Sequence, residues 1–155
     1  MTDTPDRPVE ELVALLTRAE RLSVRRLRAA LEEAGCSADA WRVMALLADG
    51  RGHGMTAMAE HVVLPPPTLT RLVDQLTDDG VVHRTVDPLD RRRILVHLTP
   101  RGRQLWQRLD QRVRGAWPEL PGGGDEELLA ALLRRLVAAL EGAPATAPSR
   151  GANGR

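Results

Sequence analysis

The sequence predicts a mainly α-helical fold that carries a small β-wing, and three patterns along the chain predict it. Two helix-like runs, 55–62 and 68–79, flank a turn that contains three consecutive prolines. Two valine-rich segments, 81–86 and 94–98, follow with a charged tip between them, which is typical of a β-hairpin. On both sides of this segment, apolar residues recur at spacings of three and four, as they do in amphipathic helices.

The bulk composition is that of a soluble globular protein. A chain of 155 residues is long enough for one domain with a real core, and contents of 43% hydrophobic and 28% charged residues are ordinary. No apolar run approaches the roughly 20 residues that span a bilayer, and the N-terminus is polar, so we expect no membrane segment and no signal peptide. The single cysteine, Cys36, forms no internal disulfide, which favours a cytoplasmic location.

The net charge of +1 does not by itself indicate a nucleic-acid partner. All 22 basic residues are arginine, and Tyr and Phe are absent, a bias that a GC-rich coding sequence explains without any function. The positions of the charges, rather than their number, therefore decide the interpretation.

The N-terminal segment predicts an arm and a long helix. Residues 1–8 are polar and contain two prolines, so we expect a flexible arm. The helix after it should run almost to Gly35, which supplies a stop, and its apolar stripe includes Val9, Leu12 and Leu16.

The next segment predicts a central helix followed by a loop. The hydroxyl of Ser37 is placed to accept a hydrogen bond from an unpaired backbone N–H at a helix start, so Ser37 is the predicted N-cap. The helix itself is apolar nearly all round, which is typical of the middle of a fold, and it should end near Gly50. Residues 51–54 are predicted to be a flexible connector, and Thr56 to cap the helix that follows.

The two runs around the prolines each have a predicted buried stripe, formed by Met58, Ala59 and Val62 in the first and by Leu69, Leu72, Val73 and Leu76 in the second. Because proline has no N–H donor, the prolines force the turn, and Pro67 is placed to open the second helix. That helix leaves polar side chains outside: Thr68, Thr70, Arg71, Asp74 and Gln75. Short polar side chains near a helix start, followed by an arginine, suit contacts to phosphates and base edges in a DNA major groove.

The charged tip strengthens this interpretation. Asp87 and Pro88 mark a turn, and three consecutive arginines, 91–93, repel one another unless an anion is near. Asp90 is placed to hold one arginine while another reaches a narrow minor groove, where the negative potential is enhanced. A solvated surface explains such charges when each element is seen alone. A helix, a turn, a helix and a hairpin with arginines at its tip together outline a winged helix-turn-helix, which enters DNA grooves.

The C-terminal part predicts two more helices. Thr99 and Pro100 supply a cap and a first-turn proline for one of them, and residues 118–124 form a hinge before the other. The last helix is rich in leucine, and its predicted interface residues are Leu128, Leu132, Leu136 and Leu140. Residues 143–155, rich in Ala, Pro, Gly and Ser, are predicted to be disordered.

The flanking helices carry more apolar surface than a monomer of this size needs. We predict that 9–35 and 101–141 are dimerisation helices of a two-fold homodimer and that 37–100 is the DNA-binding lobe. Such a dimer places two recognition helices about one DNA turn apart and requires a palindromic site in double-stranded DNA. An internal helical core within one chain is the alternative.

The hairpin tip and the helix start after it carry a specific motif. Asp87-Pro88-Leu89-Asp90-Arg91-Arg92-Arg93 leads into Leu98-Thr99-Pro100-Arg101-Gly102. These segments match the Asp-x-Arg wing element and the Leu-Thr-x-x-Gly helix start of the MarR family of bacterial transcriptional regulators. The segments 64–74 and 41–44 look like the recognition helix and second helix of that family, and the chain resembles it over roughly residues 9–141.

The resemblance implies roles for residues on DNA. By position, Asp90 would orient Arg92, and Arg92 would enter the minor groove. Thr68, Thr70 and Arg71 would read or grip the major groove, and Arg84, at the base of the wing, would contact a phosphate. The candidate DNA-binding residues are Pro67, Thr68, Thr70, Arg71, Gln75, Arg84, Asp90, Arg91, Arg92 and Arg93.

The resemblance also implies an obligate homodimer that represses transcription until a small aromatic or phenolic molecule binds. The family's ligand cleft lies between the dimerisation helices and the DNA-binding lobe. Trp41 and Trp106 are candidate ligand residues because their helices are placed to border such a cleft, and core packing is the alternative for both.

Cys36 and the histidines predict no redox or metal site. A reactive thiol needs a lowered pKa, and no cation stands beside Cys36 in the sequence. The four histidines, His53, His61, His83 and His97, lack a tight ligand spacing, so we predict no metal and no cofactor. His83 and His97 fall on the two wing strands, where we expect a surface pair.

Two other functions compete with DNA binding. A winged-helix module that binds proteins instead of DNA would present aromatic or aliphatic residues where this chain has threonines and arginines. An enzyme would need a phosphate-cradling loop, a metal cluster or a nucleophile–base pair, and the sequence contains none of these motifs. We therefore predict a DNA-binding regulator and not an enzyme.

Overall fold

The computed structural model describes residues 7–119 and 124–142, and within them it places six helices and three short strands. In chain order the elements are α1 (Arg7–Glu32), α2 (Ala38–Leu47), β1 (His53–Gly54), α3 (Met55–Val62), α4 (Pro66–Asp78), β2 (Val82–Val86), β3 (Ile94–Leu98), α5 (Pro100–Ala116) and α6 (Asp125–Gly142). The chain divides after Trp117 into two compact units, the first ending with α5 and the second containing α6. The predicted mainly α-helical fold with a small β-wing is confirmed.

Only the C-terminal half of α1 packs against the core, where it contacts α2 and α5. Leu27 and Leu31 are buried there, and Arg26 Nη1 donates a hydrogen bond to the carbonyl oxygen of Ala116 at 3.3 Å. The helix begins at Arg7, two residues before its predicted start, and residues 1–6 of the predicted arm lie outside the described residues. The N-terminal half of α1 exposes the apolar side chains of Val9, Leu12, Val13 and Leu15 to solvent, and Leu22 is exposed farther along the helix.

The central helix is α2, as the sequence predicts. Ser37 Oγ accepts a hydrogen bond from the backbone N–H of Ala40 at 3.1 Å, so the predicted N-cap is confirmed. Val43, Met44 and Leu47 are fully buried, and α2 contacts α1, α3 and α5. The core of the first unit is therefore built around this helix, although it ends at Leu47, earlier than predicted.

The strands form one antiparallel sheet in the order β1–β3–β2. The prediction of a flexible connector at 51–54 is wrong for its second half, because His53 and Gly54 pair with β3. Gly52 has a φ of +74°, and a Cβ atom there would overlap the ring of His97. Glycine at this position therefore lets the connector lie close enough to β3 for β1 to form.

α3 and α4 form the helix-turn-helix, and Met58, Ala59 and Val62 are buried as predicted. The predicted cap at Thr56 is wrong, because α3 already begins at Met55 and Thr56 lies inside the helix. Pairing with β3 holds the residue before α3 in an extended conformation, so the helix starts directly after it.

The chain reverses between α3 and α4 at Val63, whose backbone is left-handed with φ 54° and ψ 49°. A β-branched residue is strained in this region, and the Val63 side chain is 85% exposed, so burial does not compensate. Pro65 stands at the N-cap of α4, and Pro66 and Pro67 occupy its first turn. The prolines thus set the start of α4, one residue before the predicted Pro67, while the reversal itself occurs at Val63.

The start of α5 is fixed to the start of the wing. Thr99 Oγ1 accepts a hydrogen bond from the N–H of Gly102 at 2.9 Å, which confirms the predicted cap, and donates one to the carbonyl oxygen of Gly80 at 2.7 Å. A Cβ atom on Gly102 would overlap the carbonyl oxygen of Val81 and lie 2.9 Å from its carbonyl carbon. The Leu-Thr-x-x-Gly motif therefore packs the start of α5 closely against the backbone that precedes β2.

α6, described by itself, begins with Asp125, Glu126 and Glu127 in its first turn, where the helix dipole favours negative charge. None of its residues is buried. The predicted disorder at 143–155 and part of the predicted hinge, 120–123, lie outside the described residues. In the part of the chain that the structure describes, no helix is both long and apolar enough to cross a membrane.

Candidate nucleic-acid interface

α4 turns a polar face to solvent. Its buried side consists of Leu69, Val73 and Leu76. Thr70 Oγ1 donates to the carbonyl oxygen of Pro66 at 2.9 Å, which leaves the hydroxyl oxygen free to accept. The exposed side of α4 contains all the side chains that the sequence placed outside, together with the predicted DNA-binding residue Pro67: Pro67, Thr68, Thr70, Arg71, Asp74 and Gln75.

A short ion pair joins α4 to the wing. Arg84 Nη2 lies 2.6 Å from Asp74 Oδ1, across the junction between α4 and β2. The sequence predicts Arg84 as a phosphate contact, and the structure adds an acidic partner that sequence spacing did not reveal. Because a guanidinium carries several N–H donors, Arg84 is able to link α4 to β2 and still donate to a phosphate.

Two aspartates hold the wing tip. Asp87 Oδ1 accepts from the backbone N–H of Leu89 at 2.9 Å, and Asp90 Oδ1 accepts from the backbone N–H of Arg92 at 3.0 Å. The N–H of Asp87 donates to the carbonyl oxygen of Arg93 at 2.9 Å and closes the loop. The Asp90 carboxylate therefore positions Arg92 through its backbone and leaves the Arg92 guanidinium unpaired.

The arginines of this surface differ in their partners. Arg93 Nη1 lies 4.0 Å from Asp87 Oδ2. Arg71, Arg91 and Arg92 are exposed, and none of them forms an ion pair with a described residue. Adjacent unpaired guanidinium groups concentrate positive potential at the tip, which favours an anionic surface such as a narrow minor groove.

Asp87 is a residue whose role the sequence analysis missed. It was read only as a turn marker, yet it is buried and orders the tip through both its carboxylate and its backbone. Asp87 and Asp90 use the same local arrangement, in which a carboxylate accepts from the N–H two residues later. Two aspartates three positions apart in a turn were the signal that would have identified it.

The sequence model of the MarR family matches residues 37–94, which extend from the cap of α2 to the start of β3. This segment of the chain is therefore similar to the MarR family. The helix-turn-helix and the wing together form the winged helix that the sequence predicts.

Two curated relatives of the chain are described as transcriptional regulators or as candidates for that role. The HTH-type transcriptional regulator FarR of Neisseria gonorrhoeae is 27% identical over 126 residues, which cover 81% of this chain and 85% of FarR. A candidate transcriptional regulatory protein for the hcr operon of Thauera aromatica is 29% identical over 79 residues, or 51% of this chain. That match spans 48%, about half, of the Thauera protein.

Solved structures of other proteins share the fold of the chain. CouR from Rhodococcus jostii RHA1, solved bound to p-coumaroyl-CoA, is 25% identical with a TM-score of 0.71, covering 88% of this chain and 95% of CouR. Reduced AbfR, solved bound to DNA, gives a TM-score of 0.68, covering 87% of this chain and 95% of AbfR. AbfR is 20% identical, so that likeness concerns the fold alone.

A cavity of 730 Å³ lies beside α2. Trp41 lines it, together with polar side chains that include Glu20, Arg42 and His61. Trp106, the other predicted ligand residue, is not among the lining residues and packs against the hydrophobic core. The indole N–H groups of both tryptophans are buried and have no hydrogen-bond partner in the described part of the chain.

The histidines of the wing form the expected pair. His83 and His97 are directly opposite in the β2–β3 register, and their rings stack with centroids 5.5 Å apart. Over residues 7–119 and 124–142, no three His, Cys, Asp or Glu side chains are grouped to hold a metal ion.

Cys36 is a half-buried free thiol. Burial raises the pKa of Cys36 and outweighs a backbone hydrogen bond from Trp41 that lowers it. Less thiolate is therefore present near neutral pH than in a free cysteine. We expect iodoacetamide to modify Cys36 more slowly than it modifies glutathione at pH 7, as followed by mass spectrometry, and dilute peroxide to leave DNA binding unchanged. Faster modification than glutathione, or peroxide release that Cys36→Ser abolishes, would contradict this.

Proposed function

We propose that this chain is a homodimeric repressor that binds a palindromic operator and leaves it when a small aromatic or phenolic molecule binds. The exposed face of α4 enters the major groove, and the wing tip enters the minor groove. The observation that supports this best is the set of unpaired guanidinium groups on Arg71, Arg91 and Arg92, carried by two elements that the Asp74–Arg84 ion pair joins. Groove binding requires such a cationic surface on a helix and wing of fixed geometry.

Within this proposal the exposed residues of α4 have separate tasks. Thr68 and Thr70 lie in the first turns, where their short side chains let the helix end approach base edges. Pro67 sets the direction of that helix start, Arg71 grips a phosphate or a guanine, and Gln75 offers an amide suited to adenine. Arg84 donates to a phosphate at the base of the wing.

The proposed homodimer is supported by apolar side chains of α1 and α6 that are exposed or only half-buried. Burying one leucine side chain contributes about 1.5–3 kcal/mol, so two helices with several leucines each supply enough to hold two copies together. A two-fold axis would repeat α4 about one DNA turn away, which makes the operator palindromic. The proposed interface residues, exposed or half-buried in one chain, are Val9, Leu12, Leu16, Leu128, Leu132, Leu136 and Leu140.

We place the effector in the 730 Å³ cavity, a volume in the usual range for small-molecule sites. Trp41 offers an aromatic face, and Arg42 and His61 offer polar groups for a hydroxyl or carboxylate. The CouR complex with p-coumaroyl-CoA supports an aromatic ligand. Val63, in the strained turn before α4, lines the same cavity, so an effector there would contact the segment that anchors the recognition helix. The protein would act in the cytoplasm as a regulator and not as a catalyst.

Footprinting across a salt series tests the DNA part of the proposal. On the DNA that flanks its own gene, the protein should protect a palindrome, and log affinity should fall with log salt with a slope near −0.9 for each phosphate contact. A folded dimer that protects neither this DNA nor random genomic fragments at low salt would instead favour a winged-helix module that binds proteins.

A further inference from the structure

The wing tip carries an apolar side chain that has no partner in the described chain. Leu89 is 95% exposed, the highest value among the large apolar residues that the structure describes. It lies outside the hydrophobic core, so its side chain adds nothing to the packing of the fold. An exposed leucine alone indicates no function, because single apolar side chains are common on protein surfaces. Leu89 differs from such residues because it lies at the wing tip, beside the exposed arginines 91–93.

The backbone of Leu89 is held in place. Pro88 restricts the chain before it, and Asp87 Oδ1 accepts the Leu89 N–H at 2.9 Å. Asp87 is buried, and its own N–H closes the loop onto the carbonyl oxygen of Arg93 at 2.9 Å. The tip therefore presents the leucine from a fixed loop, two residues before the unpaired Arg91.

We propose that Leu89 is an apolar contact between the wing and the minor groove of DNA, where it packs against the deoxyribose walls beside the arginines. The inference rests on the proposed entry of the wing into that groove. Proteins that bind the minor groove combine arginines with apolar side chains such as leucine, because the groove has both a negative floor and walls of sugar C–H groups. The charges around Leu89 match this surface.

A protein partner fits the tip less well. An interface core excludes charged residues and gathers several apolar or aromatic ones. Leu89 is followed directly by Asp90, Arg91, Arg92 and Arg93, all of which are exposed. DNA tolerates these arginines beside a buried leucine because its phosphates neutralise them.

The apolar contact has its own thermodynamic signature. An arginine that neutralises a phosphate releases counterions and steepens the dependence of affinity on salt, whereas a leucine against a sugar releases none. Leu89 should therefore add affinity without adding salt dependence. It should act only on DNA long enough to reach the wing.

The test compares Leu89→Ala with Arg92→Ala on a duplex that the protein selects from a random pool. We expect Leu89→Ala to weaken binding about tenfold with an unchanged salt slope. Leu89→Met, which keeps an apolar side chain of similar size, should recover most of the affinity. On a shortened duplex that ends before the base pairs where the wing protects the sugars from hydroxyl radicals, Leu89→Ala and the unmodified protein should bind equally.

The outcomes separate this inference from the proposed function. Full affinity of Leu89→Ala, with Arg92→Ala weakened, would overturn the leucine contact and leave the wing in the groove. A reduced salt slope for Leu89→Ala would also overturn it, because the leucine would then act by placing the arginines. If Arg92→Ala binds as tightly as the unmodified protein, the wing does not enter the groove and both ideas fail. Because Leu89 is exposed, circular dichroism of each variant should match that of the unmodified chain.

Discussion

Gly102→Ala is expected to lower the free energy of unfolding by about 3 kcal/mol, a large loss for the addition of one methyl group. The new Cβ atom would overlap the carbonyl oxygen of Val81, and backbone cannot move aside as the end of a flexible side chain can. α5 would have to separate from the start of the wing, which strains the hydrogen bond from Thr99 Oγ1 to Gly80. Urea unfolding followed by circular dichroism, at one fixed protein concentration, measures the loss.

Gly115 provides a matched control in the same helix. A Cβ atom on Gly115 would meet nothing within 4 Å. Alanine is favoured over glycine inside a helix by about 1 kcal/mol, so Gly115→Ala should leave stability unchanged or raise it slightly. Equal urea midpoints for the two variants would show that the junction between α5 and Val81 is not sterically tight.

Arg92→Ala is expected to weaken operator binding by about 1–3 kcal/mol, or about 5- to 150-fold, with the dimer intact. The reason is the arrangement at the tip, where Asp90 holds the Arg92 backbone at 3.0 Å and no described residue pairs with the guanidinium. Alanine keeps the backbone hydrogen bond and removes only the group proposed to enter the minor groove. Fluorescence anisotropy with a labelled operator measures the affinity, and size-exclusion chromatography measures the oligomeric state.

Arg108→Ala controls for the loss of charge alone. Arg108 is exposed on α5 and forms no ion pair with a described residue, so the variant removes one positive charge from a helix that is not proposed to touch DNA. It should bind the operator as the unmodified protein does. A loss equal to that of Arg92→Ala would mean that net charge, and not a contact of the wing, controls affinity.

The features that the sequence predicts well are those that local chemistry determines. Ser37 and Thr99 cap their helices because a cap needs only a side-chain oxygen and an N–H three residues later. The buried stripe of α4 follows from a spacing of three to four, and the two wing strands follow from β-branched segments on either side of a turn. The candidate DNA surface was predictable for the same reason, since most of it lies on one helix and one turn.

Contacts between segments that are far apart in the chain could not be predicted from the sequence. His53 and Gly54 read as a loop because a strand of two residues has no periodicity, and only its pairing with β3 makes it a strand. Because of that pairing, α3 begins at Met55, so Thr56 lies inside the helix and is not its N-cap. Arg84 meets Asp74 only because of the angle between α4 and β2, which spacing along the chain does not encode.

At Val63 the conformational preference of the residue predicts the wrong backbone conformation. β-branched residues are disfavoured in a left-handed conformation, and the sequence predicts a turn that the prolines force. The surrounding helices nevertheless place Val63 there.

The strand order β1–β3–β2 bears on how the protein avoids aggregation. An edge strand exposes unpaired N–H and C=O groups, which recruit strands from other copies, and a wing that projects toward DNA would present such edges to every neighbour. Here the central strand, β3, pairs with β2 over its whole length and with β1 at Leu95 and Val96. One edge is a strand of two residues, and the other, β2, has five and carries the exposed His83 and Arg84. Short and charged edges resist pairing, so copies of the protein that are not on DNA can expose their wings without adding strands to one another.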